Sequence, residues 1–424
     1  MKTLIFAAVL LPLHAWSAEV LPGSPQSSLV PGATVQELLQ WADANNPELT
    51  AMGYEVEAAS QRIQPAGALP DPVLRAEIQD FAGRDAPNGF NPLPNKAGST
   101  KYTFMQSIPL WGKRGLKEEV ATAELDQAKG RKLSSAAEIH AKIKSAYAQL
   151  YQATGMKALN DELAGLYDRL EAVAQVRYAS GLVPQQDVIR AQVEKTSLRS
   201  EAIALEAEQQ QARARLNAVL GRPQGAPLAE PKMLEKGIPA KLEAATLQQR
   251  VMDRNPWLSS QTAQISAAEA NRRLVEKNRY PDVTLGIAPI QRGTSIASWE
   301  AMIEVNIPLR QDTRRSQEGE ANALLLAAQQ RQQAMANQIM GEVGENLAAW
   351  QAANRQEQLT ANTLLPQAQL TFQSALAGYE TGKVDFATLL DAQRAIKRAK
   401  QDILKAQVEQ AQRLAEIEKM AGEE

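Results

Sequence analysis

The apolar positions of this chain follow two periods, one of a helix and one of a strand. From Gly112 to Ala179 no proline occurs, and apolar residues recur in heptad steps, as at Leu159, Leu163, Leu166, Leu170 and Val173. At 1.5 Å per residue an uninterrupted helix over that stretch is about 100 Å long, too long for a compact globular domain. Leu389, Ala392, Ile396, Ala399, Ile403 and Ala406 repeat the seam near the C-terminus, with alanines that permit close helix–helix approach. Thr34 to Gln64 also reads as a helix, with Thr34 as N-cap and Glu37 completing a capping box. Taken alone, these helices suit an ordinary coiled coil or spectrin-like bundle equally well.

Four other segments have period two. Leu74, Ala76 and Ile78 alternate with Arg75, Glu77 and Gln79; Tyr102, Phe104 and Ile108 alternate with Thr103, Met105 and Ser107, although Gln106 interrupts the apolar face. Val283, Leu285 and Ile287 alternate with Thr284 and Gly286, and Trp299, Ala301, Ile303, Val305 and Ile307 alternate with Glu300, Met302, Glu304 and Asn306. Polar connections, Ala82 to Ser99 and Gln291 to Ser298, join the members of each pair. An apolar face with this period suits transmembrane β-strands of about 9–11 residues, with Trp111 and Tyr280 as interfacial aromatics at the strand ends. A soluble hairpin packed on the helices is the alternative. Four strands cannot close a spanning barrel, which needs at least about eight, and an open edge in lipid is forbidden. The membrane reading therefore requires a dimer or a trimer, and the strand count does not choose between them.

The whole pattern is written twice. Asn46-Pro47-Glu48-Leu49 returns as Asn255-Pro256-Trp257-Leu258, Pro70-Asp71 as Pro281-Asp282, and Ile108-Pro109-Leu110 as Ile307-Pro308-Leu309. Tyr178 to Val183, followed by Ala191-Gln192, returns as Tyr379 to Val384, followed by Ala392-Gln393. Four markers in the same order point to duplication. The expected organisation is a first repeat over 34–221, a linker over 222–243 that is rich in Pro and Gly, and a second repeat over 244–424. Each repeat runs helix, two strands, very long helix, turn, helix.

Ahead of the repeats, Met1-Lys2 and the apolar run Leu4 to Leu13, followed by Ala15, Ser17 and Ala18, have the form of a signal peptide. It is assigned to residues 1–17, with an extended arm over 18–33. Elsewhere no apolar run has the length of a membrane helix. The 424 residues carry a net charge of −2, which leaves no electrostatic footprint for nucleic acid. There is no cysteine, so disulfides, thiolate metal sites, cysteine nucleophiles and a lipidated N-terminal cysteine are excluded. Export leaves His140 as the one histidine, expected as a packed seam residue rather than a ligand. The ten methionines form no cluster along the sequence. No catalytic constellation stands out, and no cofactor or resident metal is expected; a periplasmic coiled-coil adaptor or scaffold and a secreted hydrolase are the competing classes.

A duplicated strand-pair-plus-long-helix chain with a signal peptide resembles the TolC-like outer-membrane efflux factors over nearly all of its mature length. The most specific parts are the two helix-turn tips, Arg177 to Asp187 (RYASGLVPQQD) and Gly378 to Asp385 (GYETGKVD). The resemblance implies an α+β membrane protein. Three chains form one 12-stranded outer-membrane barrel, four strands from each, continued by a long periplasmic coiled-coil barrel. It also implies a homotrimer in outer-membrane lipid, working with a periplasmic adaptor and an inner-membrane RND pump and doing no chemistry of its own. Pro70-Asp71-Pro72 and Ile108 to Arg114 (IPLWGKR) look most like the heavy-metal (CzcC- and CusC-like) branch. A duct for drugs or secreted proteins is the alternative.

In such a channel Arg75, Glu77, Glu300 and Glu304 are expected in the barrel lumen. Gly181, Leu182, Val183, Gly382 and Val384 form the adaptor-docking tips. By resemblance Asp187 and Tyr379 match positions whose link helps hold the aperture shut, and Asp391 matches a constricting acid. The sequence departs from the prototype at Val384, where a basic gate residue is expected and Lys383 stands beside it, and at Thr388, where a second acid is expected.

Overall fold

A computed structural model describes residues 30–82, 90, 92–235 and 243–422. The signal peptide, most of the arm, and parts of the linker and of the first strand connection lie outside the described residues.

The expected single helix from Thr34 to Gln64 is three helices: α1 (Val35–Asn45), α2 (Pro47–Gln61) and α3 (Ile63–Gly67). A residue before proline is kept out of the helical region, and Asn46 accordingly sits at φ −70°, ψ 122°. Thr34 accepts from the Glu37 N–H at 3.4 Å, but Glu37 accepts from the Gly32 N–H instead of closing the box. The Asn46 Oδ1 caps α2 by accepting from the Glu48 N–H at 2.8 Å, and its Nδ2 donates to the Val219 carbonyl at 3.0 Å. The second half repeats the device between α6 (Ala244–Arg254) and α7 (Pro256–Lys277). There Asn255 accepts from the Leu258 N–H at 3.0 Å and donates to the Met420 carbonyl at 2.8 Å. Each asparagine thus ties the start of its half to the end of that half's last helix. Both are buried, so Asn46→Ala and Asn255→Ala are each expected to cost about 2 kcal/mol, a lost cap plus an orphaned carbonyl. A fall in the denaturation midpoint, similar for the two, checks this.

Strands β1 (Val73–Gln79), β2 (Ser99–Ile108), β3 (Asp282–Arg292) and β4 (Ser295–Asn306) form one antiparallel sheet in the order β1-β2-β3-β4. The connection expected over Gln291 to Ser298 is shorter than that, because β3 and β4 continue to a two-residue turn at Gly293-Thr294. Gly293 has φ 60° at the first turn position, where a type II′ hairpin requires glycine.

The long helices follow the seams. α4 (Lys113–Ala179) runs unbroken for 67 residues and is followed by α5 (Gln185–Val219). In the second half α8 (Gln311–Leu359) passes through a π-helical turn at Thr360–Leu364 into α9 (Leu365–Glu380), and α10 (Phe386–Ala421) closes the chain. Pro366 explains the difference. Its missing N–H and its ring cannot fit the regular helical ladder, and the turn before it widens to accommodate them. Three apolar clusters hold the helices together. One joins α1, α4 and the end of α5 around Leu38, Ile143 and Leu216; its counterpart joins α6, α7, α8 and the end of α10 around Val251, Trp350 and Ile417. The third, around Leu163, Tyr379, Phe386 and Leu389, packs α4, α5, α9 and α10 beside their tips. No helix among the described residues is long and apolar enough to cross a membrane.

Candidate functional site

The strand register sorts the alternating residues onto two faces. Leu74 pairs with Phe104, Phe104 with Ile287 and Ile287 with Ala301; Leu285 pairs with Ile303 and Val283 with Val305. All of these share one face, which is broadly exposed in the single chain, Ile303 to 73%. Gln106 lies on that face, but its side-chain amide donates to the Pro70 carbonyl at 2.7 Å and the Ser107 carbonyl at 3.0 Å, so its donor is occupied by backbone.

The other face carries Arg75, Glu77, Glu300 and Glu304, together with Lys101, which sequence reasoning missed. The Lys101 Nζ lies 2.6 Å from Glu300 Oε2, and Arg75 lies 3.8 Å from Glu77. Met105 and Met302 close over Gly286, where an added Cβ would meet Met302 at 3.0 Å and Met105 at 3.4 Å. Two methionines far apart in sequence thus fill the space that one glycine leaves.

Where strands meet helices, Trp111 and Gly112 both adopt positive φ, 63° and 75°, to turn the chain from β2 into α4. The Trp111 ring lies 5.0 Å from that of Tyr280, and its indole N–H donates to the Pro281 carbonyl at 2.9 Å. Beneath them Lys113, 5% exposed, donates to both Asp282 oxygens, at 2.9 and 3.0 Å, and to the Tyr280 carbonyl at 2.9 Å. The ammonium therefore bolts the long helix of the first repeat to the first strand of the second. Lys113→Ala is expected to cost about 2 kcal/mol, less than a fully buried pair because Asp282 keeps access to water. Earlier dissociation on heated semi-native gels is the measurement.

At the far end the two tips are built alike. α4 and α9 each end in a Schellman turn. In the first, Leu182 N–H bonds the Arg177 carbonyl and Gly181 N–H the Tyr178 carbonyl, both at 2.9 Å; in the second, Lys383 N–H bonds Gly378 at 2.8 Å and Gly382 N–H bonds Tyr379 at 3.0 Å. Gly181 and Gly382 supply the left-handed φ these turns require, 70° and 73°. Leu182 is exposed, whereas Val183 packs against the tip cluster and Val384 lies against Gly378.

The Tyr379 hydroxyl donates to Asp187 Oδ2 at 3.4 Å, and both side chains are buried, 2% and 7% exposed. Burial pushes the tyrosine up to about 12, helped by the adjacent carboxylate, so it is a donor at neutral pH. Burial likewise raises Asp187, against the opposing pull of the tyrosine hydrogen bond and Arg190. Over the Tyr379 ring lies Arg177, 5.2 Å from its centre, with Nη1 donating to the Glu380 carbonyl at 2.6 Å. Lys383 is exposed and makes no ion pair among the described residues. Thr388 bonds Asp385, the N-cap of α10, through its hydroxyl at 2.6 Å and its N–H at 2.9 Å; these bonds hold the Asp385 carboxyl below its usual value. Asp391 is exposed and lies 3.2 Å from Arg394, which also binds Glu194. His140 is half-buried on α4, and its Nε2 lies 2.7 Å from Asp43 of α1. No group of three or more His, Cys, Asp or Glu side chains among the described residues is arranged to hold a metal ion.

A protein-family profile described as outer membrane efflux protein matches residues 38–222 and 247–423, one stretch in each half. The chain belongs to the outer membrane efflux protein family. It is thus a conduit of the outer membrane and not an enzyme, as the resemblance at the tips implies. Among relatives of this efflux protein is the cobalt-zinc-cadmium resistance protein CzcC of Cupriavidus metallidurans, 24% identical over 390 residues that cover 90% of this chain and 88% of the relative. Solved structures share the fold. The outer membrane protein VceC from Vibrio cholerae superposes with a TM-score of 0.77 at 18% identity, covering 92% of this chain and 96% of its own. CusC superposes with a TM-score of 0.78 at 18% identity, covering 96% of both chains.

Proposed function

We propose that this efflux protein is the passive outer-membrane channel of a tripartite RND system that exports heavy-metal cations. Three chains contribute twelve strands to one barrel, with the apolar sheet face in lipid and the polar face lining the lumen. The twelve long helices continue the passage into the periplasm. The observation that carries this reading is the register, which puts every alternating apolar strand residue on one face of a four-stranded sheet that cannot close alone. The fold shared with CusC and the likeness to CzcC favour metal as the substrate class. Gly181, Leu182, Val183, Gly382 and Val384 at the tips meet the periplasmic adaptor, and Asp187 and Tyr379 bias the aperture towards closure.

Expression in a host deleted for its own metal-efflux channel tests this. Restored growth on cobalt, zinc, cadmium or copper, with the pump and adaptor present, is the expected result. Restored tolerance to organic compounds but not to metals would favour the drug-duct reading. Recovery of a monodisperse water-soluble monomer from the periplasm would sink both.

A further inference from the structure

We propose that Lys101 sets the ion selectivity of the barrel, by cancelling the field of Glu300 and Glu77. The proposal rests on the reading of the polar sheet face as the lumen.

Seven charged residues stand on the four strands. Asp282 lies at a strand end and is consumed by Lys113, and Arg292 lies at the hairpin turn at the other end. The remaining five, Arg75, Glu77, Lys101, Glu300 and Glu304, share the polar face in mid-sheet. Two bases against three acids leave one net negative charge per chain; without Lys101 there would be two.

The position of Lys101 makes it the compensating group. It is directly opposite Glu77 in the β1–β2 register, yet its ammonium bonds Glu300 on β4 at 2.6 Å. To do so the side chain crosses β3 between Ile290, the register partner of Lys101 itself, and Ala288. Ala288, the register partner of Glu300, is buried there. The small Ala288 beside Glu300 therefore leaves room for one flexible, strongly hydrated cation to serve acids on both sides. Arg75 is taken by Glu77, and Glu304 has no ion-pair partner among the described residues. In a ring of identical chains each of these charges repeats, so the lumen field follows the small remainder. The barrel is then weakly cation-preferring and passes solutes of either sign.

The test is the reversal potential of the purified full-length channel in planar bilayers under a potassium chloride gradient. Lys101→Gln is expected to raise the cation-to-anion permeability ratio about threefold in dilute salt and less at 1 M, where screening shortens to about 3 Å. Lys101→Arg should keep the original ratio, and Glu300→Gln should move it towards anions. An unchanged ratio in Lys101→Gln overturns the proposal. The chain has no cysteine, so Lys101→Cys offers a single thiol to a charged, membrane-impermeant reagent, with Ile303→Cys as the lipid-facing control. A positively charged label on Lys101→Cys should return the ratio towards the original, which separates lost charge from lost packing. Labelling with no change of ratio discards the selectivity role and keeps the barrel. Failure of Lys101→Cys to label, with Ile303→Cys labelled instead, overturns the face assignment and the proposal together.

Discussion

Ile303→Arg or Leu285→Arg is expected to abolish recovery of assembled protein from the outer-membrane fraction. The two residues are register partners, Leu285 the fourth residue of β3 and Ile303 the fourth from the end of β4, exposed to 45% and 73% on the apolar face. An arginine at mid-depth on the lipid side costs about 2–4 kcal/mol, and a trimer carries it three times. That sum is comparable to the whole stability margin of an ordinary domain, about 5–15 kcal/mol, so the effect should be near total. Thr284→Arg is the control. It lies on the polar face opposite Glu304, and it should assemble normally. Normal trimer yield for both apolar-face variants would mean that the sheet faces lipid the other way round.

The second large effect is expected at the tips, where Asp187→Ala combined with Tyr379→Phe should raise single-channel conductance without loss of trimer. The contact is long for a hydrogen bond, 3.4 Å, so about 1 kcal/mol per chain is a fair magnitude. Removed from three chains that open together, it shifts the equilibrium by about two orders of magnitude. The same pair is expected to make the tips respond to acid. Burial holds Asp187 above its ordinary value in the packed tip, so protonation favours the packed state. That stabilisation is complete below the ordinary carboxylate value of about 3.9 and is lost as pH rises through the raised one. Arg190 opposes the shift and Asp385 adds to it. Conductance of the unaltered channel should therefore fall on mild acidification, and the double variant should lose that part of the response. Equal conductance of the two proteins at neutral pH would show that another contact closes the channel.

The missed residues show where local reading stops. Lys101 has the parity of Thr103 and Met105, so alternation alone assigns it to the polar face. Its bond to Glu300 spans 199 residues, and no local signal carries that. Arg394 stands three residues beyond Asp391, a spacing that brings side chains together on any helix. Arg177 reaches Tyr379 only because both tips end in the same turn, and only the packing shows that this arginine, rather than Lys383, lies beside the tyrosine. The helix break at Asn46 was signalled by Pro47, which serves as a repeat marker and as a boundary at once.

Periods and turn chemistry depend on neighbours a few residues away. For that reason the long seams, the four alternating strands, the glycine turns and the duplication can all be read from the order of residues. Which partners a side chain finds across the fold depends on register and packing between segments 169 to 199 residues apart in the three cases that follow. The burial of Asp187 against Tyr379, the bolt of Lys113 onto Asp282 and the reach of Lys101 over β3 were decided there. In each case a charged or polar group is placed by contacts that exist only once both halves have folded onto one another, because the free energy of such a group is set by what replaces its water.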